Sequence, residues 1–134
     1  MSWGSNFKLE FMKSKIYFFC FFLLLNLLSA QNIADVQRNE SGYCRVYDVN
    51  NKQIASGYVG NSKDDFSFSN CIIVVRNSSG YTRVYDEKLK QIASGYCGNS
   101  SDTFNVVGCN IVVKSKSNYK RIFDKNLRQI SSGY

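Results

Sequence analysis

The stretch Tyr81-Thr-Arg-Val-Tyr-Asp-Glu-Lys-Leu-Lys-Gln-Ile-Ala-Ser-Gly-Tyr96 indicates the fold, because close copies of it occur at residues 43–58 and 119–134. The first copy shares 12 of the 16 residues of the central one, and the last copy shares 9. Each copy lies 38 residues from the central one. A fixed period in this range is typical of repeat architectures, in which each unit buries its apolar face against its neighbours.

The repeat extends beyond this stretch and accounts for nearly all of the chain after residue 31. Its copies span 32–69, 70–107 and 108–134, and the third copy is 11 residues shorter than the others. No linker and no separate catalytic segment interrupt the copies. We therefore predict a single β-repeat domain over residues 31–134.

Each complete unit is predicted to contain four strands, which in the central copy span residues 72–75, 81–85, 91–96 and 103–107. The first of these is apolar on both faces, as expected for a strand that is covered on both sides. Hairpin-length connections favour antiparallel pairing, since parallel neighbours need longer crossovers. The predicted fold class is all-β, built from tandem four-stranded antiparallel meanders.

Three segments of the unit, residues 72–75, 83–86 and 90–92, resemble the blade pattern of NHL-type β-propellers. In that family a strand of the form Ile-Tyr-Val precedes a strand of the form Arg-Ile-x-Val-Phe-Asp, which a Gly-Lys turn follows. The resemblance implies that each unit is a propeller-like blade. The sequence departs from the pattern where the turn Gly is replaced by Asn51, Leu89 or Leu127.

The number of units is too small for one closed propeller, because propellers have typically four to eight blades. Three arrangements remain open: a fragment of a longer propeller, a ring of several chains, or an open array whose ends are protected. Asp35, Gln37 and Arg38 make the first strand of the first copy more polar than its equivalents, which resembles an N-terminal cap. The last copy carries no such cap.

Residues 1–30 have the pattern of a secretory signal. Three lysines precede an apolar run from Ile16 to Leu28, and Ala30 is a small residue at a plausible cleavage point. The run is shorter than the roughly 20 residues that a membrane span needs. We predict a protein that is secreted or placed in the periplasm or at the cell surface, with no stable membrane span after cleavage.

Four cysteines follow residue 31, but only Cys71 and Cys109 occupy the same position of the repeat. If equivalent strands stack closely these two could form a disulfide, whereas in a radial array we expect them to be too far apart. Buried free thiols are the alternative. Cys44 aligns with Thr82 and Cys97 with Val59, so neither belongs to the repeating pattern.

No catalytic set of residues is visible. The chain has no histidine, which removes the commonest general base and metal ligand. The loops Gly60 to Asp64 and Gly98 to Asp102 offer too few carboxylates for calcium. Residues 31–134 have 14 basic and 9 acidic side chains without long basic runs, a charge balance that suits solubility. We predict no enzyme activity, no cofactor, no metal and no nucleic-acid partner.

A Tyr-x-Arg-x-Tyr/Phe motif recurs in each copy, and strand alternation places its three side chains on one face. Arg between aromatic rings suits sugars, carboxylates and phosphates, so the motifs could form a multivalent ligand surface. Alternatively, they hold one unit against the next. The candidate residues are Tyr43, Arg45, Tyr47, Tyr81, Arg83, Tyr85, Tyr119, Arg121 and Phe123.

Together these features predict a non-enzymatic protein with a binding or structural role at the cell surface or in an extracellular assembly, with a protein partner or self-assembly. A multivalent lectin-like glycan binder and a truncated piece of a larger propeller are the alternatives.

Overall fold

The computed structural model describes residues 33–134, together with Lys13, Lys15 and Tyr17, which are helical. The predicted signal segment lies outside the described residues apart from these three positions. Within the described part of the chain, no helix is both long and apolar enough to cross a membrane.

Residues 33–134 form eleven strands in three antiparallel sheets, which pack in succession as propeller-like blades. The first sheet contains β1 (Asp35–Arg38), β2 (Tyr43–Tyr47) and β3 (Gln53–Tyr58). The second contains β4 (Asp65–Phe68), β5 (Ile73–Arg76), β6 (Tyr81–Tyr85) and β7 (Gln91–Tyr96). The third contains β8 (Thr103–Val107), β9 (Asn110–Lys114), β10 (Lys120–Phe123) and β11 (Gln129–Gly133). The all-β fold of antiparallel meanders is therefore confirmed, with four strands in the second and third sheets and three in the described part of the first.

The sheets begin one strand earlier than the sequence copies. The copy at 70–107 contains β5 to β8, whereas the second sheet contains β4 to β7. The reason is that residues 69–72 form a tight connection, so β4 pairs with β5 from Asp65 opposite Arg76 to Phe68 opposite Ile73. Residues 97–102 instead lead from one sheet to the next, so β8 pairs with β9 in the third sheet.

Two buried clusters lie between the sheets. We call the face of a sheet that packs on the following sheet its forward face, and the opposite one its backward face. The first cluster joins Val36, Cys44 and Val46 of the first sheet to Ile73, Val75 and Tyr85 of the second. The other cluster joins Val74 and Val84 of the second sheet to Ile111, Val113 and Phe123 of the third. Strand β5 is thus buried on both faces, as its apolar sequence predicts.

A leucine in the turn between the last two strands of a sheet reaches back to the preceding sheet. Leu89 and Leu127 have φ angles of 59° and 60°, a left-handed conformation that costs roughly 1–2 kcal/mol for a non-glycine residue. Leu89 Cδ1 lies 3.7 Å from the point where a Cβ on Gly57 would stand, and Leu127 Cδ1 lies 3.8 Å from that point on Gly95. Contact with the preceding sheet therefore offsets the backbone strain.

The equivalent residue of the first sheet is Asn51, which has the same φ of 60° and is exposed. Asn adopts the left-handed conformation more readily than other non-glycine residues. Among the described residues no sheet precedes the first one, so a leucine there would have nothing to pack on. This turn therefore has a leucine where a sheet precedes it and an asparagine in the first sheet.

We expect Leu127→Asn to lower the free energy of unfolding by about 1–2 kcal/mol, because the turn is kept while the packing on Gly95 is lost. Urea denaturation measures this change. The matched control is Asn51→Gly, which should change stability by less than about 0.5 kcal/mol. Equal effects of the two substitutions would contradict the role assigned to the leucine contact.

Candidate functional site

Each sheet carries a pair of tyrosines on adjacent strands. The ring centroids of Tyr43 and Tyr58 are 5.1 Å apart, those of Tyr81 and Tyr96 are 5.3 Å apart, and those of Tyr119 and Tyr134 are 5.2 Å apart, all edge to face. The second ring of each pair is largely in solvent: Tyr58, Tyr96 and Tyr134 are 72%, 70% and 91% exposed. The three pairs form an aromatic surface that repeats with the sheets.

In the first two sheets, hydrogen bonds and charges hold these pairs in place. The Tyr43 hydroxyl donates to Ser56 Oγ at 3.0 Å, and the Tyr81 hydroxyl donates to Ser94 Oγ at 2.9 Å. The guanidinium carbons of Arg45 and Arg83 lie 5.6 Å from the ring centroids of Tyr43 and Tyr81 respectively, which is within cation–π range. We call each such group of two tyrosines, a serine and an arginine a Tyr–Arg cluster.

The nine residues of the predicted motif separate into an outer and an inner group. Tyr43, Tyr81 and Tyr119 are half-buried at the surface, and Arg45 is exposed. Tyr85 and Phe123 are in contrast buried in the clusters between the sheets. The motif therefore contributes both to the aromatic surface and to packing between sheets, and ligand binding by its outer members stays a prediction.

The third copy differs in how its arginine is paired. Burial raises the pKa of Tyr85, while the charge of Arg83 and its hydrogen bond to the phenol act in the opposite direction. Phe123 has no hydroxyl for Arg121 to bind. Instead, Arg121 Nη2 donates a hydrogen bond to Asp102 Oδ2 at a distance of 2.9 Å. The Asp102 carboxylate is itself buried. The third arginine is thus committed to an ion pair.

A second arginine position joins neighbouring sheets and was not found from the sequence. Arg76 is only 3% exposed, and its guanidinium lies 4.8 Å from the ring centroid of Phe104 on β8. It also donates to the backbone carbonyl of Asp102 and to Asp65 Oδ2. Arg76 therefore ties the second sheet to the innermost strand of the third.

Arg38 repeats this contact one sheet earlier. Its guanidinium lies 4.8 Å from the Phe66 ring centroid and donates to the carbonyls of Ser62 and Asp64. The sequence signal was the recurrence of a basic residue at 38-residue spacing, with Lys114 as the third member. The two phenylalanines also recur, but only the structure shows that ring and guanidinium meet across a sheet boundary.

The carboxylates of the Gly-Asn-Ser loops serve the loops themselves. Asp64 Oδ2 accepts a hydrogen bond from the backbone N–H of Asn61, and Asp102 Oδ2 accepts one from the backbone N–H of Asn99, both at 3.0 Å. Within the described residues no three His, Cys, Asp or Glu side chains lie together in a way that could hold a metal ion.

A disulfide joins Cys71 and Cys109, whose Cα atoms are 5.2 Å apart. The expectation that a radial arrangement keeps them apart is wrong. Both residues lie in the hairpins that connect the first two strands of their sheets, and the innermost strands β4 and β8 contact each other. The disulfide therefore ties the second sheet to the third where the sheets are closest.

Cys44 and Cys97 are free and buried. Burial raises the pKa of both thiols, and that of Cys97 reaches about 11, although Arg121 and Arg76 act in the opposite direction. Their positions hold Thr82 and Val59 in other copies, which indicates that both act as small core residues.

These features define an all-β repeat protein of propeller-like blades with a repeated aromatic surface. No protein-family model matches the chain, and no curated protein matches it either. The resemblance to NHL-type propellers therefore stays a prediction.

Among solved structures, a chain of the "Crystal Structure of Mitotic Checkpoint Complex" is similar over 75% of this chain, with 14% identity and a TM-score of 0.47. The present chain spans 36% of that one.

We expect Arg76→Ala to lower the free energy of unfolding by about 2–4 kcal/mol, because buried acceptors and the Phe104 ring lose their partner. Urea denaturation measures the loss. The matched control is Asp65→Asn: the Asp65 side chain is 58% exposed, so its removal should cost less than about 1 kcal/mol. A larger loss for Asp65→Asn would show that the ion pair matters more than the contact between sheets.

We expect the thermal midpoint to fall as the pH rises from about 9 to 11. The unfolded chain releases the Cys97 proton near the ordinary thiol pKa of 9.0, whereas the folded protein holds it to about 11. Cys97→Val, which places the residue of the first copy at this position, should weaken that dependence. An unchanged pH dependence in this variant would contradict the assignment.

Proposed function

We propose that this protein is a non-enzymatic binding protein that acts outside the cytoplasm and holds a protein partner through its Tyr–Arg clusters. The observation that carries the proposal is the recurrence of an exposed, edge-to-face tyrosine pair in all three sheets. Tyrosine is enriched at protein interfaces because it offers a large apolar ring and a hydroxyl at low entropic cost.

The geometry of the clusters supports this function. In the first two clusters, Tyr43 and Tyr81 are each held by a partner ring and a serine hydroxyl, so these two rings have less side-chain freedom to lose on binding. A tyrosine pair in each of three sheets favours an extended or repetitive partner, since each contact raises the effective concentration for the next. No separate acid–base pair is required for such a role.

The signal-like pattern of residues 1–30 supports a location outside the cytoplasm. Lysines followed by a short apolar run and a small residue are typical of exported proteins, and export permits disulfides such as Cys71–Cys109. Expression of the complete sequence in a secreting host tests this: we expect a mature N-terminus near Gln31. A product that retains residues 1–30 would contradict export with cleavage.

A glycan is the second candidate ligand, because a guanidinium over an aromatic ring offers both a stacking surface and a hydrogen-bond fork for hydroxyl or carboxylate groups. Arg45 and Arg83 keep this arrangement, whereas Arg121 is engaged by Asp102. A glycan binder would therefore have two complete clusters and a third with weaker affinity.

Selection from a peptide-display library and a glycan array, run in parallel, tests both candidates. We expect ligands whose binding falls at least about tenfold in a Tyr58→Ser, Tyr96→Ser, Tyr134→Ser triple variant. The matched control replaces the exposed Val49 and Val107 with Ser and should bind normally. Peptide ligands from the display library support binding of a protein partner. Ligands found only on the glycan array support the glycan as the ligand. Ligands that bind the triple variant equally would refute the clusters as the site.

A further inference from the structure

The forward face of the third sheet repeats the surface that the other two sheets use to hold a neighbour. Val112 and Ile122 stand where the second sheet has Val74 and Val84, which are fully buried under the third sheet. Among the residues that the structure describes, no sheet covers this face, and both side chains are partly exposed.

The same face keeps the place for a leucine. Gly133 aligns with Gly57 and Gly95, which accept Leu89 and Leu127 from the following sheet. No atom of the described residues lies within 4 Å of the point where a Cβ on Gly133 would stand. An unfilled position for a leucine side chain therefore lies beside Val112 and Ile122.

A cation for ring stacking is also present. Lys114 aligns with Arg38 and Arg76, which stack on Phe66 and Phe104 of the following sheet. Lys114 is exposed and lies opposite Lys120 in the strand register, so both lysines lie at one end of the face. Lys120 stands where the first two sheets have the fully buried Cys44 and Thr82, and it is the point at which this face departs from theirs. The stems of both lysines can pack while their ammonium groups reach solvent.

The backward face of the first sheet does not match this surface. Its Asp35, Gln37 and Asn51 replace Ile73, Val75 and Leu89 of the second sheet, and all three are exposed. Docking of a second copy onto Val112 and Ile122 would bury the Asp35 carboxylate and two amides against apolar side chains, with only the hydrogen bond from Gln37 to Asp35 to offset the loss of water. The chain is therefore built to avoid head-to-tail association with itself.

We propose that the forward face of the third sheet is a docking surface for a β-blade of the same repeat type that carries a leucine in its left-handed turn and a phenylalanine on its innermost strand. The two internal boundaries of the molecule show how such a blade would fit: leucine over Gly133, ring against Lys114, aliphatic side chains on Val112 and Ile122. This surface borders the third tyrosine pair, since Tyr134 lines the same pocket as Ile122 and Gly133, but the proposal does not depend on ligand binding by the Tyr–Arg clusters.

The first test gives the backward face of the chain's own first sheet the three apolar residues that it lacks. The described part of that sheet has no innermost strand with a phenylalanine, so this variant tests the aliphatic and leucine contacts alone. In the complete chain, Asp35→Ile, Gln37→Val and Asn51→Leu should allow one molecule to dock on the third sheet of the next. We expect the mean mass by size-exclusion chromatography with light scattering to rise at least about twofold with concentration, as a head-to-tail contact requires. Adding Ile122→Asp should restore the wild-type mass, whereas Lys63→Asp, a change to an exposed residue in the loop between the first two sheets, should not.

Three results would overturn the proposal. The first is a folded triple variant, by circular dichroism, with the mass of the wild type, when the fused unit below also leaves exchange in β10 and β11 unchanged. The second is assembly that Ile122→Asp leaves intact. The third is a wild-type protein that already self-associates and that Ile122→Asp makes monomeric, which would identify a second copy as the occupant.

A fused unit supplies the complete blade, including the innermost strand with its phenylalanine, and also replaces the triple variant if that variant does not fold. Residues 97–134 are duplicated after Tyr134, with Ser in place of the duplicated Cys109. We expect amide exchange in β10 and β11 to slow at least about tenfold as the face is covered. A control unit with Asp, Gln and Asn at the positions of Ile111, Val113 and Leu127 should leave exchange unchanged. Equal exchange in both fusions would refute the docking surface.

Discussion

The packing of one sheet's forward face on the next sheet's backward face is the interaction on which the rest of this structure depends. A single four-stranded sheet of this size has two faces and buries neither by itself. The residues that are fully buried, such as Ile73, Val74, Val84 and Ile111, lie at these boundaries. Stability therefore comes from neighbouring sheets, and each sheet is supported by the one beside it.

The boundaries also explain features that are unfavourable when a sheet is viewed alone. A leucine in a left-handed turn is strained, yet Leu89 and Leu127 are retained where another sheet receives them. A nearly buried arginine is similarly unfavourable unless it is paired, and Arg76 finds carbonyls and a ring on the adjacent sheet. The residues that carry backbone strain or a buried charge are thus the same residues that make contacts across the boundary between two sheets.

The sequence predicted the fold class, the antiparallel strands and the burial of β5 on both faces, because alternation and turn residues are local signals. It did not predict where a sheet begins, because a 38-residue period is the same wherever the unit is divided. The choice depends on the connections at 69–72 and 97–102, of which only the first pairs the strands that it joins. The placement of Cys71 beside Cys109 depends on that same choice.

The candidate site was predicted only in part, for a different physical reason. Alternation placed Tyr81, Arg83 and Tyr85 on one face, but a face that begins at the surface ends in the core, so the motif serves two environments. The exposed ring of Tyr96 belongs to the surface through its register with Tyr81, which is a cross-strand relation. Pairing across strands and across sheets is the information that a single copy of the repeat does not contain.

The ends of the array differ in a way that follows from the same packing rule. Head-to-tail contacts between identical chains continue without limit unless they close into a ring or one face is made unsuitable. Asp35, Gln37 and Asn51 make the first face unsuitable, at the three positions where later sheets have Ile73, Val75 and Leu89. Because a contact needs both faces, changing one of them is enough to prevent uncontrolled growth. The other face is then free to retain Val112, Ile122 and Gly133 without making the protein aggregate with itself.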